Sequence, residues 1–469
     1  MFSVIRALTA VVACTLVTSP GSAEEWRRFR GPNGSGVSAS TGLPVEFGPD
    51  KNVAWSVEIP SARSSPVLAD GKIFLTAIDG DRFSTLALDE KTGKILWHRQ
   101  IERDRTTEMY QGTDSASPSP VTDGANVYAF FQETGLVSYD GRGEERWRHP
   151  LGPFQNFYGI AASPVLSGNT LILVCDQMRG SVLLAVDKDT GKELWRQERS
   201  GRLLSYATPI LYPDARNPRE VIVVGNLWVD AYDLESGKST WVLGGLGVDP
   251  VSSPVLAGDL LFTNTSDHAP EPPPPFSELA DKHDTDGNGV LSHSEVKDTW
   301  MYNHFGYLDW DGDGTLSAKD WHDLNESMAT GGWGIAAIRV PSGNAEATVV
   351  WRSQQSVPYI PTGLVYEGVL FMVKDGIVSA LHPETGELLK RGRLTKGSPK
   401  VHASPVAADG KIYIATREGQ VAVLSAGANW EVLAMNDLED EIHASPAIAD
   451  GHLYVRTKSK LYSFASQGE

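Results

Sequence analysis

The sequence is poor in cysteine: Cys14 and Cys175 are the whole complement of 469 residues. A disulfide-stapled scaffold is therefore excluded. Cys14 falls in an apolar leader, so the mature chain has no pair to close. Cys175, in the apolar run "LILVCDQ", reads as a small packing residue rather than a reactive thiol. Membrane-length apolar runs are missing too. The stretch from Ala7 to about Val17 is too short to span a bilayer. There is no basic excess either: 41 Lys+Arg against 59 Asp+Glu leave a net charge of −18. Nothing in that balance suggests a nucleic-acid partner.

The acidity is local. Between Asp267 and Thr330 there are 14 Asp+Glu and 3 Lys, or −11, which leaves −7 for the rest of the chain. The opening, "MFSVIRALTAVVACTLVTSPGSAEEW", has Arg6, the apolar stretch, then small Gly21 and Ala23 before Glu24. That order reads as a signal peptide over 1–23 and an exported chain, periplasmic or secreted. "VVAC" (11–14) loosely resembles a lipoprotein processing site with Cys14 as the lipid-bearing residue. Simple cleavage is the preferred reading, because the apolar run before Cys14 is short.

Two segments in the acidic region have cation-loop spacing. "DTDGNGVLSHSE" (284–295) places Asp284, Asp286 and Asn288 at positions 1, 3 and 5 and Gly289 at the sharp turn. Val290 offers its carbonyl at 7, Ser292 stands at 9, and Glu295 at 12 suits a bidentate carboxylate. "DWDGDGTLSAKD" (309–320) repeats the pattern with Asp309, Asp311, Asp313, Gly314, Thr315 and Ser317, but ends in Asp320. Asp is one methylene shorter, so the second calcium site is expected to be the weaker. Phe276, Leu279 and His283 precede the first loop at helical spacing, and Met301, Phe305 and Leu308 precede the second. Val296 and Trp300 follow the first; Trp321 and Leu324 follow the second. The unit resembles an EF-hand pair, and Leu291 is expected to pair with its equivalent in the second loop.

The rest of the chain repeats. "SSPVLADGKIFLT" (64–76), "ASPVLSGNTLILV" (162–174) and "ASPVAADGKIYIA" (403–415) belong to a set of eight copies. Each has a Ser/Thr entry, a short apolar strand, a tight Gly turn and a second apolar strand. "LALDEKTGKILWHRQI" (86–101) and "LAVDKDTGKELWRQ" (184–197) supply a third and a fourth strand. Lys390 stands where the tryptophan belongs in "SALHPETGELLK" (379–390). Four strands at a period near 45 residues predict propeller blades. The eighth copy shows only three strands, and "VAWSVEI" (53–59) is expected to supply the fourth, closing the ring.

The recurrent A-x-D-x-x-T-G-K-x-x-W segment resembles the tryptophan-docking repeat of the PQQ-type β-propeller superfamily. Its members include quinoprotein alcohol dehydrogenases and non-enzymatic outer-membrane assembly lipoproteins of the BamB type. The resemblance covers nearly all of 51–469 and implies an all-β, eight-bladed propeller. "WRRFRGPNGSGVS" (26–38) resembles the opening of exported bacterial proteins of this group. The expected organisation is an N-terminal extension (24–50) and blades over 51–266 and 332–469. The helical pair (267–331) is inserted between the second and third strands of blade five, after a proline-rich spacer at 268–276.

Two residues before each repeat Ser/Thr stand Arg63, Ser117, Ala161, Tyr206, Val251, Ile360, His402 and His443. They are expected at the mouth of the central funnel, where Arg63, Tyr206, His402 and His443 form a candidate ligand site. Quinoprotein dehydrogenases imply adjacent cysteines at the PQQ face, a cofactor-bound calcium and an Asp base; this chain has no adjacent cysteines and no Asp that stands out. Ser404 and Ser445 follow histidines, but Ser recurs at that place in most blades, which argues for a structural cause over a hydrolase. The expected function is a non-catalytic, monomeric binding or scaffold protein. It would bind calcium at two sites and carry a protein, small-molecule or carbohydrate partner at the funnel face. The alternative is a PQQ-dependent dehydrogenase acting on an alcohol or sugar.

Overall fold

A computed structural model describes residues 26–466 except 108, 110–112, 267–273, 310–311, 331 and 343–344. The leader, Cys14, Asp311 and most of the proline-rich spacer lie outside the described residues. Eight four-stranded antiparallel sheets stand around one axis. Blade one is built in chain order from Val67–Ala69, Lys72–Asp79, Arg82–Asp89 and Ile95–Glu102, from the axis outwards. The middle strands lie between neighbouring blades, so both of their faces are apolar: Ile73, Phe74 and Leu75 are all fully buried. Outer strands meet water on one face and alternate instead, as Glu193–Glu198 does. Asp70-Gly71, Asp409-Gly410 and Asp450-Gly451 all have positive φ at both residues, the hairpin geometry that the Asp-Gly pairs predict.

The ring closes with the N-terminal strand. Val53–Glu58 pairs with Lys460–Phe464, with Val57 opposite Leu461, so the last blade mixes both ends of the chain. This removes two free edges at once.

Neighbouring blades are fastened by tryptophan. Trp147 of blade two donates its indole N–H to the Lys188 carbonyl in blade three at 2.9 Å, and its ring covers Gly191. A Cβ at Gly191 would stand 2.6 Å from the indole, and φ there is +69°, so Gly fits that turn on both counts. Trp55, Trp97, Trp195 and Trp351 make the same contact at 3.0, 3.2, 3.1 and 2.7 Å. Lys390 replaces the indole with an ammonium that donates to the Trp430 carbonyl at 2.5 Å and lies over the Trp430 ring.

A second fastening runs round the axis. The Ser65 N–H donates to Ser119 Oγ at 2.8 Å, Ser119 to Ser163 at 2.9 Å, and Ser163 to Thr208 at 3.0 Å. The chain of bonds continues through Ser253, Thr362 and Ser404 to Ser445, whose N–H returns to Ser65 Oγ at 3.0 Å. Each hydroxyl satisfies a buried backbone N–H of the preceding blade. That requirement is why every copy enters on Ser or Thr.

The N-terminal arm crosses the axis on the far side of this ring. Trp26 pairs with Leu68 in blade one, and the Arg27 carbonyl accepts from Thr122 in blade two. Arg28 donates to the Pro209 carbonyl in blade four at 2.6 Å. Arg30 donates to the Pro405 and Gly363 carbonyls in blades seven and six, both at 2.9 Å. Burial pushes both guanidinium groups down to about 9, which leaves them charged at neutral pH. The arm continues past blade seven, where Ala407 donates to the Gly36 carbonyl at 2.8 Å.

The insert leaves blade five after Leu260–Asn264 and returns at Ile335–Arg339. It contains α1 (Phe276–His283), α2 (Trp300–Leu308) and α3 (Ala318–Thr330). Leu279, Leu291, Met301, Phe305, Leu316 and Leu324 form part of its own apolar core. Leu291 pairs with Leu316 in a two-stranded sheet, so the equivalent positions of the two loops meet. Helical spacing from Val296 does not become helix at once. Residues 293–298 form turns and α2 starts at Trp300, because Thr299 Oγ1 caps it by accepting from the Met301 N–H at 3.1 Å.

Among the described residues no helix is long and apolar enough to cross a membrane.

Candidate functional site

All eight residues that precede the hydroxyl ring converge on an axial cavity of about 170 Å³. Arg63, Tyr206, His402 and His443 are thus brought together, and Phe29 of the N-terminal arm also lines the cavity. The two histidines face each other with their Nδ1 atoms 3.1 Å apart. Burial, then the nearby charges of His443, Arg63 and Arg417, pushes His402 down to about 4. Burial and Arg63 also lower His443, against an opposing effect of Glu441. At neutral pH the pair is therefore uncharged, and one imidazole donates an N–H to the other. Arg63 lies 3.6 Å from Asp114, whose carboxyl is raised by burial despite the guanidinium. Tyr206 meets Tyr158 edge-on at 5.8 Å. Tyr359 opens with His402 and Arg417 into a neighbouring cavity of about 400 Å³.

Phe29, Asp114 and Arg417 have no repeat position and were not singled out in the sequence. Ser404 and Ser445 place their oxygens in the structural ring, accepting from Thr362 and Ser404 N–H groups. They form no nucleophile–base pair with the histidines beside them in sequence. Cys175 is buried and its thiol is raised far above the usual range by that burial.

The two acidic loops share one hydrogen-bond plan. Gly289 and Gly314 donate to Asp284 Oδ2 and Asp309 Oδ2, both at 2.9 Å. Val290 donates to Asn288 at 2.9 Å and Thr315 to Asp313 at 2.8 Å. Ser292 donates to Glu295 Oε2 and Ser317 to Asp320 Oδ2, both at 2.8 Å. Carboxylate oxygens of Asp284, Asp286 and Glu295 lie within 4.8 Å of one another. Hydrogen bonds from Ser292 and Thr285 hold Glu295 down to about 2. Asp309 is buried, and its Oδ1 has no hydrogen-bond partner among the described residues. An orphaned carboxylate oxygen at the first ligand position fits an oxygen-seeking cation.

The insert rests on the propeller rim beside the connection from blade two to blade three and the hairpin loop of blade three. Phe157 meets His304 at 5.0 Å between ring centroids, and Arg179 lies over Phe305. Between the insert and the rim runs a cleft of about 670 Å³, walled by Phe154, Phe157, Met178, His293, Tyr302 and Phe305.

A family model described as the outer membrane protein assembly factor BamB matches residues 45–179, 155–269 and 374–468. A BamB from Burkholderia pseudomallei is 27% identical over 236 residues, which is 48% of this chain and 56% of that protein. The chain thus matches about half of that relative's length. Among solved structures, the BamB of Moraxella catarrhalis is similar at a TM-score of 0.55 and 15% identity, covering 88% of this chain and 99% of that one. A quinohemoprotein alcohol dehydrogenase from Comamonas testosteroni is similar at 0.62 and 14% identity, covering 95% and 82%. At these identities the two structures share the fold.

Proposed function

The chain belongs to the family of the outer membrane protein assembly factor BamB, and we propose that it is an exported, non-catalytic binding protein whose partner sits on the rim face that carries the insert. One observation carries this reading. The cleft beside the insert, about 670 Å³, is larger than the axial cavity of about 170 Å³ and its neighbour of about 400 Å³, and it is walled by the rings of Phe154, Phe157, Tyr302 and Phe305. The cleft is aromatic, and aromatic side chains suit protein contact. The relatives' name points the same way, towards assembly of other proteins. In this reading the two loops hold calcium through Asp284, Asp286, Asn288, Val290, Ser292 and Glu295, and through Asp309, Asp313, Thr315, Ser317 and Asp320. The ion would stabilise the insert and fix the shape of the cleft; outside the cell even sites of about 10⁻⁴–10⁻³ M would fill.

Titration with PQQ and calcium, followed by quinone absorbance and dye-linked alcohol oxidation, tests the non-catalytic part. No saturable binding is expected. Saturable binding with turnover would overturn the reading in favour of a PQQ-dependent dehydrogenase.

A further inference from the structure

Asp309, the first residue of the second loop, is not like its counterpart Asp284. Asp284 is partly exposed and, among the described residues, accepts only from N–H groups of its own loop, those of Gly287, Asn288 and Gly289. Asp309 is buried, and its Oδ2 accepts both from the Gly314 N–H and from Nη2 of Arg179. Arg179 belongs to blade three, in the turn between Thr170–Cys175 and Val182–Asp187. It lies 130 positions away in the chain. Its side chain is 39% exposed, and it covers the Phe305 ring of α2 at 5.9 Å. A Cβ at Gly306 would stand 3.2 Å from Arg179 Nε, a tight contact to which the Arg179 side chain would have to yield slightly.

A guanidinium and a divalent cation compete for one carboxylate even when each takes its own oxygen, because both draw on the same negative charge and two like charges held that close repel. We propose that Arg179 is a competitor built into the propeller, which sets the cation affinity of the second loop and couples its loading to the docking of the insert on blade three. This rests on the reading of the loops as cation sites. With Arg179 on Asp309 the insert is latched to the rim; with a cation on Asp309 the guanidinium is released. The Asp309 Oδ1 that lacks a partner is what the latched state leaves unsatisfied and what a cation completes. Coupling is reciprocal, so a cation that weakens docking must be weakened by docking to the same degree. The first loop has no such contact among the described residues and binds independently of blade three.

Calorimetric calcium titration of the full chain and of Arg179→Gln decides this. The substitution is expected to tighten the second site by roughly 5- to 150-fold, the span of ordinary coupling energies, and to leave the first unchanged. Arg179→Lys keeps the charge and should stay near the unsubstituted affinity, which separates charge from packing. A second readout is amide hydrogen exchange of residues 176–182, which should speed up when calcium saturates the full chain but not in Asp309→Asn. Two binding events with an unchanged second constant in Arg179→Gln would overturn the latch and leave the cation reading standing. Absence of any calcium binding would overturn both.

Discussion

The axis and the rim of this molecule are built on opposite principles. Around the axis one residue type recurs at one place in every blade, and the eight hydroxyls from Ser65 to Ser445 do one job, closing a belt of hydrogen bonds. On the rim the period of the blades is broken. The insert occurs once, the Arg179–Asp309 pair once, and the aromatic cleft combines residues from four separate parts of the chain. Repetition here marks architecture, and departure from the repeat marks the places where a partner or ion can be recognised.

Substitution should separate the two regions, and the largest effect belongs to the fastenings. Trp147→Ala removes an indole from between two blades and is expected to cost about 3–5 kcal/mol in urea unfolding. Ser163→Ala leaves the buried Ser119 N–H without its acceptor and should cost about 1–3 kcal/mol. On the rim, Tyr158→Ala should stay within about 0.5 kcal/mol. A rim substitution as costly as the ring substitution would erase the distinction.

The comparison sharpens at the two loops. Glu295 engages Thr285 with one oxygen and Ser292 with the other, a spread suited to bidentate ligation. Asp320 is a methylene shorter. Glu295→Gln is therefore expected to cost more calcium affinity than Asp320→Asn, and Asp320→Glu to tighten the second site, all read by calorimetry. The reverse order would show that the final carboxylate does not rank the sites.

A smaller effect comes from pH. His402 is held near 4 when folded, against an ordinary value of about 6.5, so between these values the unfolded chain binds more protons. The His402 contribution is complete above about 6.5, falls as pH drops towards 4, and levels off below. His402→Gln should flatten the stability profile in that window; an unchanged slope would mean the imidazole is not held neutral. The smallest effect is expected from the largest deletion. Replacing 267–331 with a short Gly/Ser link should leave cooperative unfolding of the propeller intact, because the insert has its own core. Loss of cooperativity would make the insert part of the barrel of blades.

Much of the axis was legible in the sequence. Tryptophan and Gly positions in the turns, the Asp-Gly hairpins and the missing eighth outer strand all follow a period, and the structure places them accordingly. The four funnel residues could be assigned to one mouth because each is counted from a repeat Ser or Thr. What escaped has no period. Arg28 and Arg30 look like surface charges in "WRRFRG", yet they bond to carbonyls of three blades. Arg179 and Asp309 are joined only by the folding of the insert back over blade three, and no spacing rule links them.

The central claim, that recognition belongs to the rim face beside the insert, is tested most directly by photo-crosslinking in cells. A photoreactive residue at Tyr302, in the cleft, is compared with one at Lys91, in an exposed turn on the opposite face. A discrete protein adduct from position 302 and none from position 91 is the expected result. Adducts from position 91 alone, or equally from both, would contradict it.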